Sequence, residues 1–439
     1  MKKFVLVFLI GCLSALSISA QELNRAKLDS LFNILESNDR YMGSFALSHK
    51  GRILYSKAIG YEDRALGKKA TPDTKYRIGS ITKMFTSALV FMAVEENKIG
   101  LDQTIDTYFP EVKNASAITI GHLLNHRSGI HNLTSVEDYL NWNTQPKTKE
   151  ELLKKIADGP SVFDPGSKAE YSNSNYVLLT FILEDVFDRP YGDLIADKIT
   201  VPLGLDDTYV GSKIYNARHE AFSYTYTSSW KKESETDMSI PLGAGALVSN
   251  PTDLNKFIEG LFSGQLIAQK SLDQMKTITD GYGMGIFQMP FYEKKGFGHN
   301  GGIDGFSSAL GYIPEDQLAF ALTSNGSRFS NNDILIAALS AFYGKPFDLP
   351  SFTSIELTSE ELDPYLGSYA SDQIPLKITI TKEKNVLIAQ ATGQPSFPLE
   401  ATEKHVFEFA MAGVRLEFDP DQNTMILKQG GGVYTYSKE

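Results

Sequence analysis

Cysteine is almost absent from this chain. Its 439 residues include one, Cys12, and that one falls in a leader-like start. The body of the protein therefore has no disulfide staple, no thiol nucleophile and no thiolate metal ligand. Clustered positive charge is also missing. Lys154-Lys155 and Lys231-Lys232 are too small to count, and 42 Lys and Arg stand against 53 Asp and Glu, a net charge of −11. That balance excludes a nucleic-acid backbone as partner, because phosphate binding needs grouped Lys and Arg. Beyond the start, no run approaches the ~20 apolar residues of a membrane helix. There is no internal repeat and no low-complexity segment.

What is present begins with a leader. Lys2 and Lys3 precede the apolar run Phe4–Ile10, small residues continue it to Ile18, and Ser19-Ala20 stands before Gln21. This order reads as a secretory signal peptide over residues 1–20, with a periplasmic or secreted protein as its consequence. A second reading takes Leu9-Ile10-Gly11-Cys12 as a lipoprotein box and Cys12 as a lipid anchor.

The length predicts two units. In residues 22–347, Leu23, Leu28, Leu31, Phe32 and Leu35 recur at helical spacing. Strands are expected at Gly43–Ser48 and Ile53–Ile59, around a turn at Lys50-Gly51. A strong helix is expected from Ser80 to Glu96, then a long helical and irregular middle. Strands return at Gly305–Tyr312 and Leu318–Thr323, so the two ends of this unit are expected to pair in one sheet. Residues 348–358 read as a linker. In residues 359–439 the texture changes to short alternating runs: Leu376–Thr381, Val386–Ala391, Val406–Met411, Val414–Phe418 and Met425–Gln429. These predict a small antiparallel sheet or barrel. Its one histidine, His405, reads as a surface residue.

Hydrolysis of an amide or ester needs an activated nucleophile, a proton shuttle and an anion-stabilising pocket. In Gly79-Ser80-Ile81-Thr82-Lys83, Ser80 stands at a helix start and Lys83 lies one turn later on the same face. A lysine of lowered pKa can take the hydroxyl proton. Tyr171-Ser172-Asn173 offers a phenol, whose pKa a neighbouring cation would depress, and an amide to hold Lys83 and a substrate carbonyl. His299-Asn300-Gly301-Gly302 offers glycines that let backbone approach a ligand. Each pattern is weak alone. Ser-x-x-Lys recurs at Ser228/Lys231 and Ser229/Lys232, Tyr-x-Asn at Tyr139/Asn141, and His-x-Gly at His49/Gly51. A Ser at a helix start is commonly just a cap.

In this order the three resemble the serine β-lactamase and penicillin-binding-protein family, whose signature includes Ser-x-x-Lys. Tyr-Ser-Asn is similar to the class C β-lactamase and D-alanyl-D-alanine carboxypeptidase branch. Leu123–Gly129, Pro202–Leu205, Gly245–Ser249 and Tyr282–Gly285 also resemble family segments. The resemblance implies an α/β (α+β) fold: an antiparallel sheet flanked by helices, an all-helical lobe, and the site between them. The C-terminal unit would match the lipocalin-like appendages of some relatives. Ser80 would form an acyl-enzyme, with Lys83 and Tyr171 handling its proton. Asn173 would contact the substrate amide. Backbone N–H groups of Ser80 and Gly302, with Gly301 beside them, would bind the oxyanion. His299 would face a substrate carboxylate or orient Tyr171. His299 and Asn300 depart from the family's Lys-Thr-Gly, which favours peptidase-like and esterase-like activity over an efficient β-lactamase.

The expected substrate is a small molecule or peptide, including cell-wall peptide, with no cofactor. Two alternatives stand beside this one. The first is a penicillin-binding sensor that acylates without turnover. The second is a metal site at His122, His126 and His131, where the first two have zinc-ligand spacing but lack the zinc-protease glutamate between them.

Overall fold

The computed structural model describes residues 23–352, 354–429 and 432–439. The leader and Cys12 lie outside the described residues. Helix α1 (Arg25–Ser37) opens the chain, capped by the Asn24 side chain. Strand β1 (Tyr41–His49) turns through Lys50 and Gly51, both at positive φ, into β2 (Arg52–Ile59). Two residues at positive φ match the twist of the strands they join. Every residue of β1 except His49 is buried, as a strand paired on both sides requires.

The expected helix at Ser80 is split. A 3₁₀ turn, Gly79–Ile81, precedes α2 (Thr82–Glu95). Apolar residues on all sides make α2 a central helix, since a helix hydrophobic all round must be buried. It packs with α3 (Asn173–Phe187) in the largest core cluster, which fills the helical lobe. A small hairpin follows, β3 (Tyr224–Tyr226) and β4 (Trp230–Lys232). Helix α4 (Pro251–Phe262) starts on an Asn250 cap with proline in its first turn.

Four strands complete the main sheet: β5 (Phe287–Phe291), β6 (Lys294–Ile303), β7 (Phe306–Ile313) and β8 (Leu318–Ser327). The order is β5-β6-β7-β8-β1-β2, antiparallel throughout. Strand β1 lies against β8 with Phe45 opposite Leu322, so the two ends of this unit do pair. Helix α5 (Asn331–Tyr343) and α1 cover one face through a second core of Leu28, Phe32, Phe45, Leu322 and Ile334. The other face carries α4, which packs on β1, β7 and β8 and stacks Phe257 on Phe85 of α2.

The C-terminal unit is a closed eight-stranded barrel. Its strands are β9 (Gly367–Ala370), β10 (Ile378–Glu383), β11 (Val386–Ala391), β12 (Phe397–Glu403), β13 (Val406–Phe409), β14 (Val414–Asp419), β15 (Thr424–Gln429) and β16 (Gly432–Lys438). Five were expected. Those missed are β9, β12 with its Pro398 and irregular register at Ala401/Glu403, and β16, which closes the barrel on β9. His405 is half-buried, not on the surface. Its Nδ1 lies 2.8 Å from the Tyr365 hydroxyl. Arg40 and Arg328 of the larger unit both pair with Glu400 of β12, which fixes the barrel to it. Among the described residues no helix is long and apolar enough to cross a membrane.

Candidate active site

The site forms where the 3₁₀ turn before α2 meets β6. Gly79 has φ +51, and a Cβ there would sit 2.7 Å from the Gly302 nitrogen. A Cβ on Gly301 would sit 2.0 Å from the Ile78 carbonyl oxygen. Both contacts are backbone against backbone, so only glycine permits them. The Ser308 hydroxyl of β7 donates to the same Ile78 carbonyl at 2.8 Å. Main chain and sheet thus fix the approach of Ser80 to Gly302.

Strand β5 pairs with β6 only as far as Gly298, whereas β7 follows β6 to Ile303. Residues 299–303 therefore have a sheet neighbour on one side only. This leaves a short free backbone edge beside Ser80, of the kind an extended chain can join.

Ser80 Oγ is the hub of the polar groups. Tyr171 Oη donates to it at 2.8 Å, and Lys83 Nζ lies 3.1 Å away. Lys83 Nζ also donates to Asn173 Oδ1 and to the Ala244 carbonyl, each at 2.7 Å. Asn173 opens helix α3. Its N–H donates to Asn132 Oδ1 at 3.0 Å and its Nδ2 to Thr134 Oγ1 at 2.8 Å, so the amide that holds Lys83 is itself held.

Burial shifts the proton affinities of both groups. Lys83 is fully buried, and loss of solvation holds its pKa well below the ordinary amine value. Its Nζ gives hydrogens to the two carbonyl oxygens and lies within hydrogen-bond distance of the Ser80 hydroxyl. The Tyr171 phenol goes the other way. Burial pushes its pKa above the usual range, which corrects the expectation of a depressed value. Desolvation of the buried phenol is the largest effect and outweighs the Ser80 hydrogen bond, which acts the other way. Burial thus favours the protonated phenol and the unprotonated amine, opposite directions on the two sides of Ser80 Oγ.

His299 is buried, with its ring 4.6 Å from that of Phe287 and 6.4 Å from that of Tyr171. Its Nδ1 faces the Asn300 carbonyl, and its Nε2 is buried with no partner. Desolvation, with Lys83 nearby, pushes its pKa down to about 3. A neutral ring presents no cation to a carboxylate and makes no hydrogen bond to Tyr171.

Ser80, Lys83, Tyr171, Asn173, His299, Gly301 and Gly302 all come together here. The competing matches do not. Ser228 and Ser229 are exposed at the β3–β4 turn, with Lys231 and Lys232 exposed on β4. The three histidines weighed as zinc ligands go to separate backbone partners. His122 accepts from the Thr119 N–H, His126 accepts from the Ser172 N–H, and His131 faces the carbonyls of Lys155 and Ile156. Among the described residues no three His, Cys, Asp or Glu side chains are grouped to hold a metal ion. Sequence reasoning missed the Ala244 carbonyl, which carries no side-chain signal, and the Asn132 and Thr134 supports.

Comparison with known proteins agrees with this geometry. The family model described as Beta-lactamase matches residues 33–342, and the chain belongs to that family. It is an enzyme of the serine hydrolase class that this fold and its relatives define. It is 25% identical over 437 residues to penicillin-binding protein 4* of Bacillus subtilis strain 168, covering 90% of this chain and 93% of the relative. It is 28% identical over 330 residues to a teichoic acid D-alanine hydrolase of Staphylococcus aureus, covering 71% and 79%. The D-amino acid amidase of Ochrobactrum anthropi SV3 superposes with a TM-score of 0.65 at 28% identity, covering 73% of this chain and 98% of the amidase.

Proposed function

We propose that the protein is an exported hydrolase that cleaves D-aminoacyl amides or esters through an acyl-enzyme on Ser80. The observation that carries this is the convergence of two proton-handling groups on one oxygen: the Tyr171 phenol donates to Ser80 Oγ at 2.8 Å and the buried Lys83 Nζ lies 3.1 Å from it. Lys83 takes the hydroxyl proton as Ser80 Oγ bonds to the carbonyl carbon. The oxyanion lies between the N–H groups of Ser80 and Gly302. Tyr171 gives its proton to the departing nitrogen or oxygen, and the proton on Lys83 restores the phenol. Water repeats the sequence in reverse and frees Ser80. Asn173 holds Lys83 and the substrate amide, and the free edge at residues 299–303 aligns an extended acyl chain.

The neutral His299 supports the substrate class. A substrate ending in a free carboxylate would bury its charge without a cation to meet it, which is costly. Amides and esters make no such demand. The names of two relatives, a D-amino acid amidase and a teichoic acid D-alanine hydrolase, point the same way.

A turnover panel tests the proposal: a D-alanyl amide, a D-alanyl ester, the matching L-compounds, a D-Ala-D-Ala peptide and a penicillin. The expected result is steady turnover of the D-amide or D-ester above the peptide. Stoichiometric labelling by penicillin without turnover of any substrate would instead favour a sensor. Fractionation of the native host and N-terminal sequencing test export, with a mature start at Gln21 or a lipidated Cys12 as the two informative results.

A further inference from the structure

His126 has no role in the chemistry above, yet its surroundings are unusual. It is 2% exposed and sits at φ +60, a backbone region that non-glycine residues rarely adopt. It touches three successive residues in three different ways. Its carbonyl accepts the Glu170 N–H at 2.9 Å. Its ring lies on the Tyr171 phenol, with centroids 4.4 Å apart. Its Nδ1 accepts the Ser172 N–H at 3.2 Å. The rings of Tyr282 and Tyr176 close two more sides at 5.3 and 5.4 Å.

We propose that His126 is a positioning residue that clamps the 170–172 segment and so holds the Tyr171 hydroxyl on Ser80 Oγ. The proposal rests on the reading of Tyr171 as the proton donor. The phenol is carried by an irregular stretch immediately before α3, so no helix or strand ladder fixes it. Ring contact alone would leave the segment free to slide, and the Ser172 bond alone would leave the phenol free to swing. Together they fix both. The clamp requires the neutral imidazole with its proton on Nε2, because Nδ1 must accept. Asn175 Nδ2 also approaches Nδ1, at 3.3 Å, in the same sense. Burial, with Lys83 and His299 close by, holds the His126 pKa well below the usual imidazole range, which keeps Nδ1 an acceptor. With Nδ1 accepting, the ring proton sits on Nε2, so neither nitrogen has a free lone pair to offer a zinc ion.

The test is a double-mutant cycle on the full chain, using the D-alanyl substrate that turns over best. His126→Phe keeps a ring against Tyr171 and removes the acceptor. It should lower kcat by roughly 10- to 100-fold, the order of loss for a reacting group misplaced by ~1 Å, with KM little changed. In a Tyr171→Phe background the same change should cost almost nothing more, because groups that act as one unit are non-additive. A loss that multiplies undiminished in the double variant, or His126→Phe at wild-type kcat, would overturn the clamp alone. Tyr171→Phe at wild-type kcat would remove both the clamp and the proton-donor reading. His126→Gln, which retains an acceptor, runs the same cycle if His126→Phe fails to fold.

Discussion

Both units of this chain bury apolar side chains, but they differ in what else they bury. The interior of the larger one encloses Lys83, His126, His299, Asn175 and Asn255, all 3% exposed or less. The barrel interior is Ile378, Leu387, Leu399, Phe407, Leu416, Met425 and their neighbours, and among the described residues of the barrel no charged side chain is buried. A buried polar group is stable only if partnered, so the first interior is costly to build and is retained for what it does. The second lowers free energy by apolar burial alone. The unit that holds Ser80 carries charged and amide side chains in its core, and the barrel buries none among its described residues.

The comparison breaks first at Ser80. Ser80→Ala should abolish both turnover and labelling by a fluorophosphonate probe, and a label that moves to Ser228 or Ser229 would refute the assignment. Tyr171→Phe and Lys83→Ala should each lower kcat by roughly 10²–10⁴-fold, with the double variant little worse than either.

Under the proposed mechanism, in which Lys83 accepts and Tyr171 donates, the pH profile follows from the directions of the two shifts. Lys83 works unprotonated, and its pKa is lowered, so the acid limb of kcat/KM should lie well below the ordinary lysine value. Tyr171 works protonated, and its pKa is raised, so the alkaline loss should fall above ~10, the ordinary phenol value. Lys83→Arg should lose the plateau outright, because a guanidinium stays protonated. An alkaline limb near pH 8 in the wild type would contradict the burial argument.

On the barrel side the expected effects move from rate to stability. Leu416→Ala, at a fully buried position, should cost about 2–5 kcal/mol in thermal or denaturant unfolding. Ser80 should still label at the wild-type rate below the transition. A loss of labelling in folded protein would mean that the barrel reaches the chemistry. The smallest effect belongs to the contact between the units. Glu400→Gln keeps the shape and removes the charge shared by Arg40 and Arg328. About 1–2 kcal/mol is expected for a charged hydrogen bond so weakened, read as earlier unfolding of the barrel with kcat unchanged.

Much of this was legible beforehand, for reasons that differ between residues. Ser80, in the 3₁₀ turn, and Lys83, in α2, lie one turn apart, so local spacing suggests their pairing, although the same spacing recurs at Ser228 and Ser229. Tyr171, Asn173 and His299 are remote in the chain and became legible only through the order of three weak motifs. Strand alternation revealed five barrel strands, but Pro398 and the irregular register of β12 broke the pattern there. Protonation was not legible. The acidity of Tyr171 was misjudged because desolvation depends on the packing of the helical lobe, which no local pattern encodes. The Ala244 carbonyl was hidden for a simpler reason, since every residue has one.

The glycine contacts at the mouth of the site carry a consequence for how this enzyme tolerates change. Side chains at 79 and 301 would strike main chain at 2.7 and 2.0 Å, whereas a Cβ at 302 meets nothing closer than 3.9 Å. In a saturation library screened for activity, positions 79 and 301 should accept glycine alone. Position 302 should accept alanine, although all three look alike on paper. Because the nucleophile is seated by backbone, the side chains around the mouth are free to diverge without moving it. That freedom would let one scaffold serve many acyl donors.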